Sequence, residues 1–593
     1  MRIKHFFGLA VLAAMTASCS SNNDLVVGGG NGSGENESGT SYASITIDLP
    51  TTSGTRAAND KFDGGTASEY TVNDATLLIF KKAGTSENEF EYVETASLGN
   101  LEPWKKDNTD DNGITTEATI TAKLEKATVG TNGDYYALVI LNNKDKNDAE
   151  KVTLPSGSIT YGAWNAATNA KNLLDNTKGF YMANAPEFKT ADQEPTTLVP
   201  IKGIYRTKEE AHSQPGTTVH VERGLAKVTV GKGTGKDYFT GAKASGSKYS
   251  NDDVTITNWA LDVTNKSSFP VHVTAGLKDG VTSAGIPAYA NIWKNEVATP
   301  GTIAATSRFV SQLSATGAFK RVYWGIDPNY SMGLSDVAKC KEQFTIAKAD
   351  GTDANWTESS KPLYCLENTF DIKNMLQGQT TRVLLKATYT PNALASETET
   401  DKTFFMIGNS SDIWTTTTLK AQIASKAKDA LSLTTNPTVV LKGDLLTAGT
   451  HVLTVSNVSI KEGEGETATE KVDADLVAKL NTKLGLDETN GVGIKTYKNG
   501  ESYYIARIKH FGDDLTPWKE GDKTYDGNNL NWLGRYGVLR NNWYDLTIEK
   551  ISGPGYPDVP EVKPDTSDDE DTKYINVSVK ILDWAKRSQS WDL

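Results

Sequence analysis

Ala43-Ser44-Ile45-Thr46-Ile47-Asp48-Leu49 alternates apolar and polar residues with period two. At the far end of the chain, Tyr574-Ile575-Asn576-Val577-Ser578-Val579-Lys580-Ile581-Leu582-Asp583-Trp584 does the same. In extended backbone, successive side chains point to opposite faces. Ala43, Ile45, Ile47 and Leu49 therefore share one face, with Ser44, Thr46 and Asp48 on the other. Ile575, Val577, Val579 and Ile581 likewise oppose Asn576, Ser578 and Lys580. Both segments read as half-buried β-strands of nearly equal length. Trp584 falls out of phase after Leu582, which predicts a bulge there.

Between these ends, strand signals dominate. Ala75–Phe80 (ATLLIF) and Tyr135–Leu141 (YYALVIL) are continuous apolar runs. More runs follow around Val219–Val221, Ala226–Val228, Val254–Val263, Thr381–Tyr389, Val452–Ile460, Tyr503–Ile508 and Trp543–Ile551. Gly, Asn, Asp and Thr-rich turns separate them, as in β-sandwiches. Helical periodicity is confined to Ser411–Leu431 and Ala474–Leu486. The chain therefore reads as mainly all-β with a few short helices. At roughly 100–200 residues per domain, its length has room for several domains. A turn-rich stretch before His220-Val221-Glu222-Arg223-Gly224-Leu225 sets a boundary near 220. That gives an N-terminal β-sandwich over 42–219 and a C-terminal one over 220–551. Residues 552–573 carry four prolines and a run of acids, which predicts an extended, solvated linker. The terminal strand, 574–593, hangs on that linker.

The chain begins MRIKHFFGLAVLAAMTASC. Arg2 and Lys4 form a basic start, and Phe6–Met15 an apolar stretch too short to span a bilayer at roughly 20 residues. Small residues then lead to Cys19. Residues 1–19 thus read as a lipoprotein signal peptide with Cys19 as the lipidation site, against a plain secretory signal with an incidental cysteine. Residues 20–41 are rich in Gly, Ser and Asn and read as a flexible tether.

Pro50–Lys61 is small and polar, the kind of loop that proteases nick. Arg56 is its one arginine; Lys61 is a second candidate cut. A trypsin-like cut between Arg56 and Ala57 lets Ala43–Leu49 leave with the lipid anchor. It leaves a sheet with an open edge and an apolar groove, both unstable in water. The terminal strand of another copy can fill that groove. Burying four aliphatic side chains at about 1.5–3 kcal/mol each contributes about 6–12 kcal/mol. Such head-to-tail β-augmentation yields open filaments. Before the cut, the tethered resident strand outcompetes any donor from solution.

The Cys19 motif, the strand–loop–Arg56 segment, VERGLAKVTV (Val221–Val230), YGVLRNNWYDLTIEKISGPG (Tyr536–Gly555) and the ending INVSVKILDW…WDL resemble the type V pilins (fimbrillins) of Bacteroidales, most nearly the shaft subunit of the minor (short) fimbriae. The resemblance implies two transthyretin-like β-sandwich domains plus a C-terminal donor strand. It implies export as an outer-membrane lipoprotein bearing palmitate, trimming by an Arg-specific protease and donor-strand exchange into a cell-surface fimbrium for adhesion, biofilm formation and virulence. Carried over, Cys19 is lipidated, Arg56–Ala57 is the processed bond, and residues 42–56 are the removable strand and cleavage loop. Ile575, Val577, Val579, Ile581 and Trp584 form the donor face. The implied partners are further copies of the chain and accessory tip and anchor subunits. A patterned donor argues against a tip role, and the Arg56 loop favours shaft over anchor.

Other chemistry finds little material. A net charge of −13 lacks the basic face that nucleic acid requires. The six histidines show no metal-ligand spacing, so no metal or cofactor is expected and no enzyme activity is indicated. Gly231–Lys236 fails as a phosphate loop because Asp237 follows the lysine. Asp107–Gly113 has calcium-loop flavour but Thr119 at its twelfth position. Cys340 and Cys365 allow either a disulfide or two buried free thiols. The rival function is an anchor-type or non-polymerising surface lipoprotein that binds glycans or host proteins through exposed aromatics.

Overall fold

A computed structural model describes residues 40–49, 66–99, 101, 116–129, 133–187, 195–274, 322, 324–330, 334, 336–369, 374–396, 401–463, 465–510, 534–568, 575–582 and 587–588. The first domain is built on β1 (Ser41–Leu49), β2 (Ala75–Lys81), β3 (Glu91–Gly99), β4 (Thr116–Leu124), β5 (Tyr135–Leu141), β6 (Met182–Asn184), β7 (Val199–Pro200) and β8 (Thr217–Arg223). They form one sheet in the order β3-β2-β5-β6-β8-β1-β4, with β7 also on β5. The sheet curls until its ends approach. Glu94 of β3 accepts the main-chain N–H groups of Glu125, Lys126 and Ala127, just past β4, at 2.7, 3.0 and 2.6 Å.

Curling explains the two continuous apolar runs. Leu77, Ile79, Val139 and Leu141 face the inside of the curl with Ile45, Ile47 and Val221. Leu78, Phe80, Leu138 and Ile140 face outward, under Tyr161 and Trp164 of a short helix and the loops beside it. β2 and β5 are buried on both faces, so neither shows alternation. Two short helices matter below: α1 (Ala67–Tyr70), before β2, and α2 (Lys208–His212), between β7 and β8.

The second domain begins at β9 (Leu225–Lys232). Its first sheet runs Leu363–Leu366, β9, Trp543–Ile551, Ile575–Leu582, Arg587–Ser588. Its second runs Ala242–Lys243, Asp253–Asp262, Arg382–Thr390, Glu501–Arg507. Val228, Val230, Leu546 and Ile548 of the first meet Ile256, Trp259, Leu385 and Tyr504 of the second in a shared core. The whole is thus mainly β, in two sandwiches with few short helices. Between Arg382–Thr390 and Glu501–Arg507 the chain inserts a smaller unit. In it, helices Thr416–Leu431 and Ala474–Leu484 pack on short strands around Leu419, Ile423, Leu476 and Leu480.

Two expectations need correction. The boundary at 219/220 falls inside β8; the sandwiches part at Gly224, between β8 and β9. A Cβ at Gly224 would lie 2.9 Å from Leu173 Cδ1, so the joint admits glycine. The linker 552–573 is not solvated over its described residues, 552–568. Tyr556 pairs with Tyr503 through main-chain bonds of 2.8 and 2.7 Å, Val559 packs with Leu384 and Ile505, and Val562 with Cys340. Asp568, the first of the acidic run, is fully buried, 3.4 Å from Arg507 Nε and bonded to the Thr380 hydroxyl. Proline removes main-chain donors, so such a segment can lie on a protein surface without a full ladder. Of the two alternatives for Cys340 and Cys365, the structure has the free thiols: both are buried, in separate clusters.

Candidate functional site

β1 is an interior strand. It pairs antiparallel with β4 along its full length, from Ser41 opposite Leu124 to Leu49 opposite Thr116. On its other side it runs parallel to β8, from Ile45 opposite Thr217 to Asp48 opposite His220. Ala43, Ile45 and Ile47 are 0% exposed and Leu49 6%. Withdrawing β1 would therefore open a two-walled slot between β4 and β8, where the sequence suggested one open edge.

The polar face of β1 is covered as well. Ser44 and Thr46 are 5% and 8% exposed. The segment between β7 and β8, which carries α2, lies over them. Tyr205 exchanges main-chain bonds with Tyr42 at 2.9 and 2.8 Å. A Cβ at Gly216 would sit 2.4 Å from Thr46 Oγ1. Thr46 Oγ1 is 2.9 Å from Thr119 Oγ1 of β4. Asp48 differs from its neighbours: its carboxylate lies 3.6 Å from His220 Nε2, and His220 Nδ1 is 2.7 Å from Glu187. Sequence patterning marks Asp48 as outward but carries no signal for this trio, whose members are far apart in the chain.

Past the segment with Arg56, Ala57 and Lys61, which lies outside the described residues, the chain is anchored to the second domain. Glu69 of α1 is buried against Lys227 of β9, 2.8 Å away, and accepts from the Tyr364 hydroxyl at 2.7 Å. Arg223 Nε donates to the Glu69 carbonyl at 2.8 Å, and the Lys227 ammonium lies 3.9 Å from the Trp543 ring centre. α1 thus holds its place through contacts that do not involve β1.

The Arg540-Asn541-Asn542 stretch is a clasp at the interdomain joint. Asn541 takes a left-handed φ of 58°, a conformation that asparagine tolerates. Its N–H donates to the Leu225 carbonyl at 2.7 Å, and its side-chain oxygen accepts from Arg223 Nη1 at 3.1 Å. The Lys227 N–H donates to the Asn542 carbonyl at 2.9 Å. Arg540 is buried and forks onto Glu367, with Nε at 2.9 Å from Oε2, and also donates to Ser268. These bonds account for a motif that patterning singles out without explaining.

Ile575–Leu582 is a strand, paired antiparallel with Trp543–Ile551 of its own domain, from Ile575 opposite Ile551 to Leu582 opposite Trp543. A bulge interrupts the ladder between Ile548 and Lys550. The structure does not bring β1 and this tail together; they belong to different sheets. Cys19, Trp584 and Asp107–Gly113 lie outside the described residues. The Gly231–Lys236 turn directs the Thr234 N–H to the Glu549 carboxylate at 3.2 Å, so an acid stands where a phosphate would need to be. Among the described residues, no group of three or more His, Cys, Asp or Glu is placed to hold a metal ion. Among them too, no helix is long and apolar enough to cross a membrane.

No curated protein matches the sequence. Solved structures similar to the chain include a fimbrilin from Porphyromonas gingivalis, 11% identical, covering 92% of this chain and 99% of that one with a TM-score of 0.34. The tip fimbrial protein Mfa3 of the same organism, with a C-terminal truncation, is 10% identical over 92% and 100%, with a TM-score of 0.24. Residues 495–590 match the family model of the major fimbrial subunit protein type IV, fimbrillin, C-terminal. That region takes in the Arg540 clasp, the Trp543–Ile551 strand and the tail that pairs with it. Residues 495–590 are thus the part of the chain that is similar to the fimbrillin family.

Proposed function

We propose that the chain is a shaft subunit of a surface fimbrium, exported as an outer-membrane lipoprotein through Cys19 and matured by an Arg-specific protease at Arg56–Ala57. After the cut β1 leaves, and the tail strand of another copy takes its seat. The observation that carries this reading is the interior position of β1. A strand held by two ladders, with Ala43, Ile45 and Ile47 sealed from water, leaves behind a seat that another strand of the same pattern can fill.

Before the cut, two things oppose exchange. The resident strand is tethered to its own sheet, and the tail is engaged with Trp543–Ile551. After it, a donor gives up one ladder and gains two. Each added hydrogen bond contributes about 0.5–1.5 kcal/mol, on top of about 6–12 kcal/mol from four aliphatic side chains. The anchoring of α1 to Lys227 and Arg223 does not involve β1, so the start of the trimmed domain stays tied down. Tip and anchor subunits are the expected accessory partners, and adhesion and biofilm formation the expected roles.

N-terminal sequencing of the protein purified from the cell surface tests the reading. A start at Ala57 in material that forms ladders on unboiled gels is expected. Acylated Cys19 in the assembled material would instead mark an anchor-type subunit or a binding lipoprotein that keeps its own strand.

A further inference from the structure

We propose that Lys580 fixes the direction and register in which a second copy's tail enters the seat of β1, by taking the place of Asp48 beside Glu187 and His220. This deepens the strand-exchange reading and rests on it.

The seat differs chemically from end to end. At Ser44 and Thr46 it is small and covered, with Gly216 close above. At Asp48 it is ionic: His220 lies at 3.6 Å, with Glu187 on the other ring nitrogen at 2.7 Å. When β1 leaves, it removes one carboxylate, and Glu187 stays with His220. The polar face of the tail has the same order. Asn576 and Ser578 are small and neutral, and Lys580 is the one charge among them.

With Ile575, Val577, Val579 and Ile581 on the seats of Ala43, Ile45, Ile47 and Leu49, Asn576 replaces Ser44 and Ser578 replaces Thr46. Lys580 then replaces Asp48, within reach of Glu187. A reversed strand would put Lys580 on the Ser44 seat. A slip of two residues would put it on the Thr46 seat. Either would bury an ammonium among hydroxyls with no carboxylate in place, which is strongly unfavourable. Ile575 is larger than Ala43 and falls opposite another alanine, Ala122, while Val577 and Val579 are each one methylene smaller than Ile45 and Ile47. The same lysine stands opposite Asp545 when the tail pairs with its own domain.

The test uses the full chain, trimmed with an Arg-specific protease and assembled in vitro. The double variant Asn576→Cys with Thr121→Cys, which keeps Lys580 and Glu187, is expected to give an oxidant-dependent ladder that survives boiling and collapses with reductant, since Thr121 stands opposite Ser44 on β4. Lys123 and Glu117 stand opposite Tyr42 and Asp48 on β4, so Asn576→Cys with Lys123→Cys reports the slipped strand, and with Glu117→Cys the reversed one. A covalent ladder from either of these, without one from the Thr121 pair, overturns the proposal. Lys580→Glu should slow ladder formation at least tenfold, and adding Glu187→Lys should restore it to within about threefold. An unchanged rate in Lys580→Glu, or no rescue, overturns the register. Removing Ile575–Leu593 separates the two levels. Ladders that persist refute strand exchange itself. Ladders lost on deletion but indifferent to Lys580→Glu refute the register and leave exchange standing.

Discussion

The Lys227 ammonium lies 2.8 Å from the Glu69 carboxylate, with both side chains sealed from solvent. It ties α1, the first described element after the Arg56 loop, to β9 of the second domain. Glu69→Gln leaves a buried cation without its partner, so a loss of about 3–5 kcal/mol is expected. Urea unfolding at neutral pH measures it.

The same pair gives a pH signature. Burial pushes the Glu69 carboxyl up, but hydrogen bonds from Lys227, Tyr364 and Thr66 outweigh it and hold it below the ordinary range. A carboxyl depressed in the fold stabilises above its unfolded value of about 4.3 and loses that contribution as pH falls through the folded one. Melting temperature against pH should therefore drop below about pH 4 in the parent, and less steeply in Glu69→Gln. Equal slopes would refute the assignment.

Arg540→Ala should loosen the joint between the sandwiches. It strands the buried Glu367, at about 3–5 kcal/mol. Arg540→Lys keeps the charge but loses the fork, and should fall between parent and alanine variant. Hydrogen exchange at Arg223–Lys227 should rise in the same order. Exchange confined to other regions would count against the clasp.

Ile47→Ala should destabilise the untrimmed chain by about 2–5 kcal/mol, as for a fully buried aliphatic. The protein trimmed after Arg56 no longer carries residue 47 and should assemble with unchanged stability. An equal effect on the two would mean that β1 never leaves.

Burial pushes the Cys340 thiol up to about 11 and the Cys365 thiol up to about 12. Both stay neutral and inert at pH 8. Iodoacetamide should modify neither in the native protein and both in guanidinium, and a reductant should leave the melting temperature unchanged. A reductant-sensitive melt would restore the disulfide.

Much of the fold is legible locally. Period-two alternation at Ala43–Leu49 marks a strand whose apolar face is core, and the two helices of the inserted unit show their own period. What escapes local reading is decided by distant partners. The runs at Val219–Val221 and Ala226–Val228 are visible, but the change of sheet between them at Gly224 is not, because it depends on Leu173 and Tyr181 packed against it. The acids after Ser552 read as solvated, because nothing near Asp568 announces Thr380, Arg382 and Arg507. In the candidate site, Ile45 and Ile47 are visible as apolar, but their place between two strands is not. The Asp48–His220–Glu187 trio is assembled from three elements and has no motif.

A single residue, Gly224, joins the sandwiches, and Asn541 bonds to the residue on either side of it, accepting from Arg223 and donating to Leu225. Flexing at that joint would break several buried hydrogen bonds at once. In a thread made of such units, curvature would gather where one copy's tail meets the next. Each molecule would act as a stiff link of fixed length, and the suppleness of the whole would be set by its couplings.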